Sequence, residues 1–145
     1  MSFAEHTARK RFGQHWLRDE RVLDRILESA ELVEGDRVLE VGPGRGALTD
    51  RLLRSPAALV HAIELDRDLV SGLTERYGAQ SRFSLCEGDV LNVPLTLPDG
   101  SPASKVVANI PYNITGPLLE RLIGRLDRPV DPPYERLILL VQKEV

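Results

Sequence analysis

The stretch RVLEVGPGRG, residues 37–46, decides the fold, because a short apolar strand in it runs directly onto a glycine-rich turn. The residues that follow, 47–54, have the pattern of a short helix that ends before Ser55-Pro56. A strand, a tight turn and a helix in this order are typical of a doubly wound α/β sheet. Ligands of such sheets lie beyond the carboxyl ends of the strands, so residues 42–46 are a candidate binding turn.

The same alternation of strand and helix continues on both sides of this stretch. Asp19 is a candidate cap for a preceding helix, and Thr115 is one for a helix near the end of the chain. Another helix is predicted over residues 67–77, with Gly78 as its stop. The remaining strands are predicted at residues 59–64, 83–87, 105–109 and 137–141. The pattern therefore predicts the α/β class, with a doubly wound, Rossmann-like parallel sheet.

The last predicted strand, residues 137–141, sets the expected domain organisation. It is apolar on both faces, which is typical of a strand inside a parallel sheet and not of an edge strand. We therefore expect residues 19–145 to form an incomplete domain, truncated after about the fifth strand. Residues 1–18 show no hydrophobic periodicity at their start and are expected to form a flexible basic segment.

The composition is that of an ordinary globular protein, with 42% apolar and 28% charged residues among 145. Its net charge of −3 lacks the basic excess that is usual in RNA-binding domains. Six basic residues near the N-terminus form either a phosphate-binding cluster or a solvated helix face: Arg9, Lys10, Arg11, Arg18, Arg21 and Arg25. A single cysteine, no secretory signal and no long apolar run predict a cytoplasmic protein without metal or membrane, and we expect a monomer.

The glycine-rich turn and the ends of the next two strands carry the candidate cofactor residues. The turn has G-x-G-x-G spacing, which differs from the dinucleotide G-x-G-x-x-G and disfavours pyrophosphate binding. Glu64 ends the second strand, where a carboxylate accepts hydrogen bonds from ribose hydroxyls, while the nearby Asp66 is better placed as a helix cap. Asp89 follows the third strand as an acceptor for an amino group or as a turn cap. Together with Gly42, these acceptors predict a nucleoside cofactor without phosphates, such as S-adenosylmethionine.

The tetrapeptide NIPY, residues 109–112, follows the fourth predicted strand and is the candidate chemistry site. The amino nitrogen of adenine is a poor nucleophile because its lone pair is delocalised into the ring. The Asn109 side-chain oxygen and the Ile110 carbonyl would accept hydrogen bonds from its two N–H groups and so favour a pyramidal nitrogen. Pro111 would keep the turn rigid, and Tyr112 would stack on a flipped base. The alternative interpretation is a proline-containing loop with a packed tyrosine.

Six motifs, taken in order, resemble those of the rRNA adenine N6-dimethyltransferases. They are FGQHWL (12–17), LEVGPGRGALT (39–49), ELD (64–66), GDVL (88–91), NIPYNI (109–114) and VQKEV (141–145). More narrowly, residues 9–145 are similar to the bacterial KsgA-type enzymes, which dimethylate two adjacent adenosines near the 3′ end of small-subunit rRNA. The resemblance implies S-adenosyl-L-methionine as cofactor and the rRNA of the immature small ribosomal subunit as partner.

The resemblance also implies roles for particular residues. Asn109 and Tyr112 would handle the target base as the catalytic pair. The implied cofactor contacts are His15, Leu17, Gly42, Glu64, Asp89 and Asn109. The FGQ segment would close over the cofactor, although the family's usual motif is FGQNFL and this chain has His15 and Trp16, of which the histidine ionises near neutral pH. Family members continue through further strands and a small helical domain that helps to hold RNA.

Three alternatives remain at this point. Within the same fold, the antibiotic-resistance branch methylates adenine in large-subunit rRNA and shares the NIPYNI stretch. A methyltransferase-like domain that serves as an RNA-binding or assembly module is a second alternative. A nicotinamide oxidoreductase is disfavoured, because both the glycine spacing and the NIPY loop are wrong for it.

Overall fold

The computed structural model describes residues 19–142 of the chain. Its main feature is a five-stranded parallel sheet, whose strands are β1 (Arg37–Val41), β2 (Leu59–Glu64), β3 (Phe83–Glu87), β4 (Lys105–Pro111) and β7 (Arg136–Gln142). Their order across the sheet is β3-β2-β1-β4-β7. The short strands β5 (Gly124–Arg125) and β6 (Arg128–Pro129) form a separate antiparallel pair. The order reverses between β1 and β4, which confirms the doubly wound α/β sheet.

The helices connect these strands as the sequence predicts. They are α1 (Glu20–Ala30), α2 (Ala47–Arg54), α3 (Arg67–Tyr77), a 3-10 turn (Tyr112–Ile114) and α4 (Thr115–Ile123). Asp19 caps α1 by accepting a hydrogen bond from the Arg21 amide at 2.9 Å, and Gly78 follows the last residue of α3. None of the described helices is long and apolar enough to cross a membrane.

The core lies on both faces of the sheet. On one face, Val38, Val60 and Val107 pack against apolar side chains of α1, α2 and α3, such as Leu52 and Leu73. On the opposite face, residues that alternate with these along the same strands pack against α4 and the loop between β3 and β4. Because both faces are covered, most side chains of the central strands are apolar, as is expected of a parallel sheet. Glu40 of β1 and His61 of β2 are buried polar exceptions.

Three predicted details differ from the structure. β4 continues two residues beyond the predicted end, through Ile110 and Pro111, which pair with Val141 and Gln142 of β7. Thr115 does not cap α4, because its side chain is buried without a hydrogen-bond partner among the described residues and Ile114 occupies the cap position. The spacing of apolar residues after Thr115 predicts a helix with Leu126 facing inward, but the helix ends at Ile123 and Leu126 is fully exposed.

The expectation that β7 lies inside a larger sheet stays a prediction, because the structure describes residues 19–142 alone. Among the described residues β7 pairs with β4 alone and forms one edge of the sheet. Its side chains from Leu137 to Leu140 are only half buried, although they pack against the core on both faces.

Candidate active site

A cavity of about 740 Å³ opens at the carboxyl ends of β1, β2, β3 and β4. Its walls include Gly42 and Gly44 from the turn after β1, Glu64 from β2 and Asp89 after β3. Asn109 of β4 completes the wall. The cavity lies beside the point where the strand order reverses, which is the usual ligand site of this architecture. The four predicted residues and the turn are therefore brought together at one place.

The glycine-rich turn is held by contacts on both of its sides. Gly42 has a φ of +71°, and a Cβ atom there would overlap the backbone carbonyl oxygen of Asn109. Gly46 has a φ of +93°, and a Cβ atom there would lie 2.7 Å from the ring of Tyr77. The Tyr77 hydroxyl also donates a hydrogen bond to the Gly46 carbonyl at 3.0 Å. Glycine is therefore required at both positions by conformation and by contact.

Glu64 supports the turn from the neighbouring strand. Its carboxylate accepts hydrogen bonds from the Gly44 amide at 3.1 Å and from the Asp66 amide at 2.9 Å. Asp66 caps α3 by accepting from the amides of Asp68 and Leu69, as the sequence predicts. Asp66 thus has the expected role of helix cap. Hydrogen bonds also hold the Glu64 carboxylate at the cavity wall, where its role toward ribose hydroxyls stays a prediction.

Asp89 has the turn-capping role that is one of the two interpretations given for it. Its carboxylate accepts hydrogen bonds from the Leu91 amide at 2.9 Å and from the Asn92 side chain at 3.2 Å, so it caps the turn after β3. It also lines the cavity. The turn hydrogen bonds therefore hold Asp89 in place at the wall, and its role toward an amino group stays a prediction.

Asn109 and Tyr112 lie in different environments. Asn109 is inside β4, not in a loop after it, and its side-chain oxygen accepts a hydrogen bond from Gln142 Nε2 at 2.9 Å. Tyr112 begins the 3-10 turn, is 58% exposed and does not line the cavity. Asn109 is therefore rigidly held at the cavity wall, whereas the Tyr112 side chain is accessible to a large ligand.

The first motif, with the predicted cofactor contacts His15 and Leu17, lies outside the described residues. The basic residues Arg9, Lys10, Arg11 and Arg18 do so as well. Arg21 and Arg25 are exposed on α1, where Arg21 forms an ion pair with Asp19.

Glu40 is a buried acid beneath the glycine-rich turn whose environment the sequence did not predict. It is 1% exposed, and its Oε1 accepts a hydrogen bond from the Thr49 hydroxyl at 2.6 Å. Its Oε2 has no hydrogen-bond partner among the described residues. Burial raises the pKa of Glu40 to about 7, the Thr49 hydrogen bond lowers it, and the charge of Glu64 raises it. Glu40 is therefore largely protonated below neutral pH.

The donor and acceptor set of the cavity fits a nucleoside with a cationic group. Among residues 19–142, the wall contains three carboxylates, of Glu64, Asp66 and Asp89, and one basic residue, Arg67. Such a wall repels phosphate groups and attracts hydroxyl, amino and cationic groups. Among residues 19–142, no cluster of three His, Cys, Asp or Glu side chains is placed to hold a metal ion.

The sheet order and this acceptor-lined cavity together define the Rossmann-like methyltransferase fold. A family model described as "Ribosomal RNA adenine dimethylase" matches residues 5–145. The chain therefore belongs to the ribosomal RNA adenine dimethylase family of S-adenosylmethionine-dependent methyltransferases.

Individual relatives agree with this assignment. The chain is 79% identical over its whole length to "Ribosomal RNA small subunit methyltransferase A" of Synechococcus sp. (strain WH7803), of which it covers 52%. It thus spans about half the length of the curated relatives that it matches.

Solved structures show the same fold. A dimethyladenosine transferase from Plasmodium falciparum is 31% identical with a TM-score of 0.70, over 83% of this chain and 41% of that one. The 23S rRNA methyltransferase ErmE is 33% identical with a TM-score of 0.63, over 72% and 41%. An RNA methyltransferase from Salinibacter ruber, solved with S-adenosyl-L-homocysteine, is 26% identical with a TM-score of 0.58, over 70% and 67%.

Proposed function

We propose that the protein transfers methyl groups from S-adenosylmethionine to the N6 amino groups of adenosines in small-subunit rRNA. The two acceptors would be adjacent adenosines, dimethylated during ribosome maturation. The observation that carries the proposal is the position of Asn109, which lies in the cavity wall with its backbone carbonyl against Gly42 of the cofactor turn. One residue would thus stand between the cofactor and the base.

The cofactor half of the site consists of residues at successive strand ends. Gly42 would let the cofactor approach the turn, Glu64 would accept hydrogen bonds from the ribose hydroxyls, and Asp89 would accept one from the adenine amino group. Gly44 and the cap of α3 hold the Glu64 carboxylate in the required orientation. His15 and Leu17 are proposed as further contacts on the family resemblance. When bound, the cofactor supplies a methyl group activated on a sulfonium.

The base half of the site would orient the amino group that receives the methyl. The Asn109 side-chain oxygen and the Ile110 carbonyl would accept hydrogen bonds from the two N–H groups of the target nitrogen. These hydrogen bonds would direct the nitrogen lone pair toward the cofactor. Tyr112 is exposed enough to stack on a base that has left its helix. Positioning of this kind supplies much of the rate of a direct transfer and needs no strong general base.

The small subunit is favoured as substrate by the relative that is 79% identical, whose name specifies that subunit. The likeness to ErmE, whose name specifies 23S rRNA, is much weaker at 33% identity. A cytoplasmic location, where ribosomal subunits are assembled in bacteria, and a monomeric state are part of the proposal.

The decisive experiment supplies the full-length protein with methyl-labelled cofactor and with immature small or large ribosomal subunits, and then maps the labelled base. We expect two adjacent dimethylated adenosines in the small subunit. Label in the large subunit would instead support the antibiotic-resistance type of activity. Tight binding of the cofactor or of subunits without any transfer would support an assembly module.

A calorimetric titration tests the cofactor half separately. Glu64→Ala should weaken binding of S-adenosylmethionine by about tenfold or more, because hydrogen bonds to a charged group are worth about 1.5–3 kcal/mol. Glu75→Ala, on the exposed side of α3, is the matched control and should leave the affinity unchanged. Equal affinity of Glu64→Ala and the unmodified protein would remove Glu64 from the ribose site.

A further inference from the structure

Gln142 is a polar residue of β7 that reaches the candidate active site from the neighbouring strand. In the parallel register, Asn109 pairs with Leu140 and Pro111 with Gln142, so both amide side chains stand on the same face of the sheet. Gln142 Nε2 donates a hydrogen bond to Asn109 Oδ1 at 2.9 Å, and Gln142 also lines the cavity. The described hydrogen bond is thus made to the same oxygen that the proposed function assigns to the target amino group.

The chemistry of the two amides gives this contact a consequence. An asparagine amide rotates about a broad, roughly two-fold torsion, so it can present either its oxygen or its NH₂ group to a ligand. If Asn109 presented its NH₂ group, hydrogen-bond donors of Asn109 would face the donors of the adenine amino group, and no hydrogen bond would form. A donor fixed beside Asn109 selects the orientation with the oxygen on that side. Since a carbonyl oxygen has two lone pairs, one remains for the substrate.

We propose that Gln142 is a positioning residue, which holds the Asn109 amide with its oxygen toward the amino group to be methylated. The inference rests on the proposed function for the identity of that amino group. Gln142 would act through Asn109 and would take no direct part in the transfer.

The test uses the full-length protein with methyl-labelled cofactor and the immature small subunit. Gln142→Met keeps the length of the side chain and removes the donor, whereas Gln142→Glu replaces the donor by an acceptor. Loss of one neutral hydrogen bond predicts a kcat lower by about two- to tenfold for Gln142→Met. The kcat of Gln142→Glu should be lower still, because a carboxylate attracts the NH₂ group of Asn109 and so turns its oxygen away from that side. The cofactor Kd and the KM for the subunit should change by less than about twofold, as expected when only an orientation is lost.

Gln80 supplies the matched control, because it is exposed at the end of the turn after α3 and outside the cavity. Gln80→Met and Gln80→Glu should leave kcat unchanged. A purely structural role for Gln142 would lower the melting temperature of both Gln142 variants and leave kcat of the folded fraction intact. That outcome, or a kcat of Gln142→Glu equal to that of the unmodified protein, overturns the inference.

A measurement on the unmodified protein separates this inference from the proposed function and needs no variant to fold. In the ¹⁵N-labelled full-length protein, the side-chain amide of Gln142 should have a heteronuclear NOE typical of ordered groups, unlike that of Gln80. A Gln142 amide as mobile as that of Gln80 contradicts the positioning role, whichever RNA is methylated. An ordered Gln142 amide in a protein that methylates no RNA would leave the contact standing and would refute the proposed function.

Discussion

The buried carboxyl of Glu40 should make the stability of this protein depend on pH in an unusual direction. Within the part of the chain that the structure describes, the Glu40 carboxyl has one hydrogen bond, from Thr49, and the charge that acts on it is the like charge of Glu64 on β2. Burial raises its pKa from an ordinary value of 4.5 to about 7 in the folded protein. The folded state therefore binds this proton more tightly than the unfolded state does. Its stability must fall as the pH rises from the unfolded pKa to the folded pKa.

The size of the effect follows from the two pKa values. Each pKa unit corresponds to about 1.4 kcal/mol, so ionisation of Glu40 costs the folded state about 3 kcal/mol once the pH is well above 7. Between about pH 5 and pH 8 the loss is about 2–3 kcal/mol. Glu40→Gln resembles the protonated acid, since it keeps an acceptor for Thr49 and carries no charge. The variant should lack this part of the pH dependence.

Urea unfolding of Glu40→Gln and of the unmodified chain, followed by circular dichroism, measures the effect. The difference in the free energy of unfolding should move in favour of the variant by about 2–3 kcal/mol from pH 5 to pH 8. His61, whose pKa is lowered by burial, titrates in both proteins and cancels in the difference. Glu75→Gln on the surface of α3 is the control and should show no such trend. A difference between Glu40→Gln and the unmodified chain that stays constant with pH would refute the reasoning.

Three further substitutions probe the two halves of the site. Gly42→Ala should cost about 1–3 kcal/mol of stability from its positive φ alone, with more from overlap with the Asn109 carbonyl, as measured by urea unfolding. Asn109→Ala should lower kcat for methyl transfer by about tenfold or more while the calorimetric cofactor affinity changes little; equal losses would remove it from the amino group. Tyr112→Ala should weaken engagement of the target base by about 1–3 kcal/mol in steady-state kinetics, and unchanged kinetics would exclude stacking.

Most of the fold could be predicted because local sequence signals and tertiary structure agree. The bounds of β1, β2, β3, α2 and α3 match the predictions, since each element has a clear apolar pattern and ends at a glycine, proline or acidic cap. The prediction for β4 ended too early because proline is uncommon inside sheets. Pro111 is tolerated here because it lies in the last pair of the β4–β7 ladder.

The site was predictable where its residues lie at or just after the carboxyl end of a predicted strand. Gly42, Glu64, Asp89 and Asn109 lie in one cavity because the carboxyl ends of parallel strands meet at one edge. The contacts between side chains were not predictable, because they depend on register and helix packing. Gln142 meets Asn109 only through the register of β4 with β7, and Thr49 meets Glu40 only where α2 crosses β1.

Under the proposed function, the close approach of Gly42 to the Asn109 carbonyl would also act as a spacer between the two reaction partners. It is made by main-chain atoms of adjacent strands, so thermal changes of side-chain rotamer do not alter it. Under the proposed function, the gap that a methyl group must cross is therefore a property of the β1–β4 pairing. Selection for methyl transfer and selection for a stable sheet would then act on the same backbone atoms, those of Gly42 and Asn109.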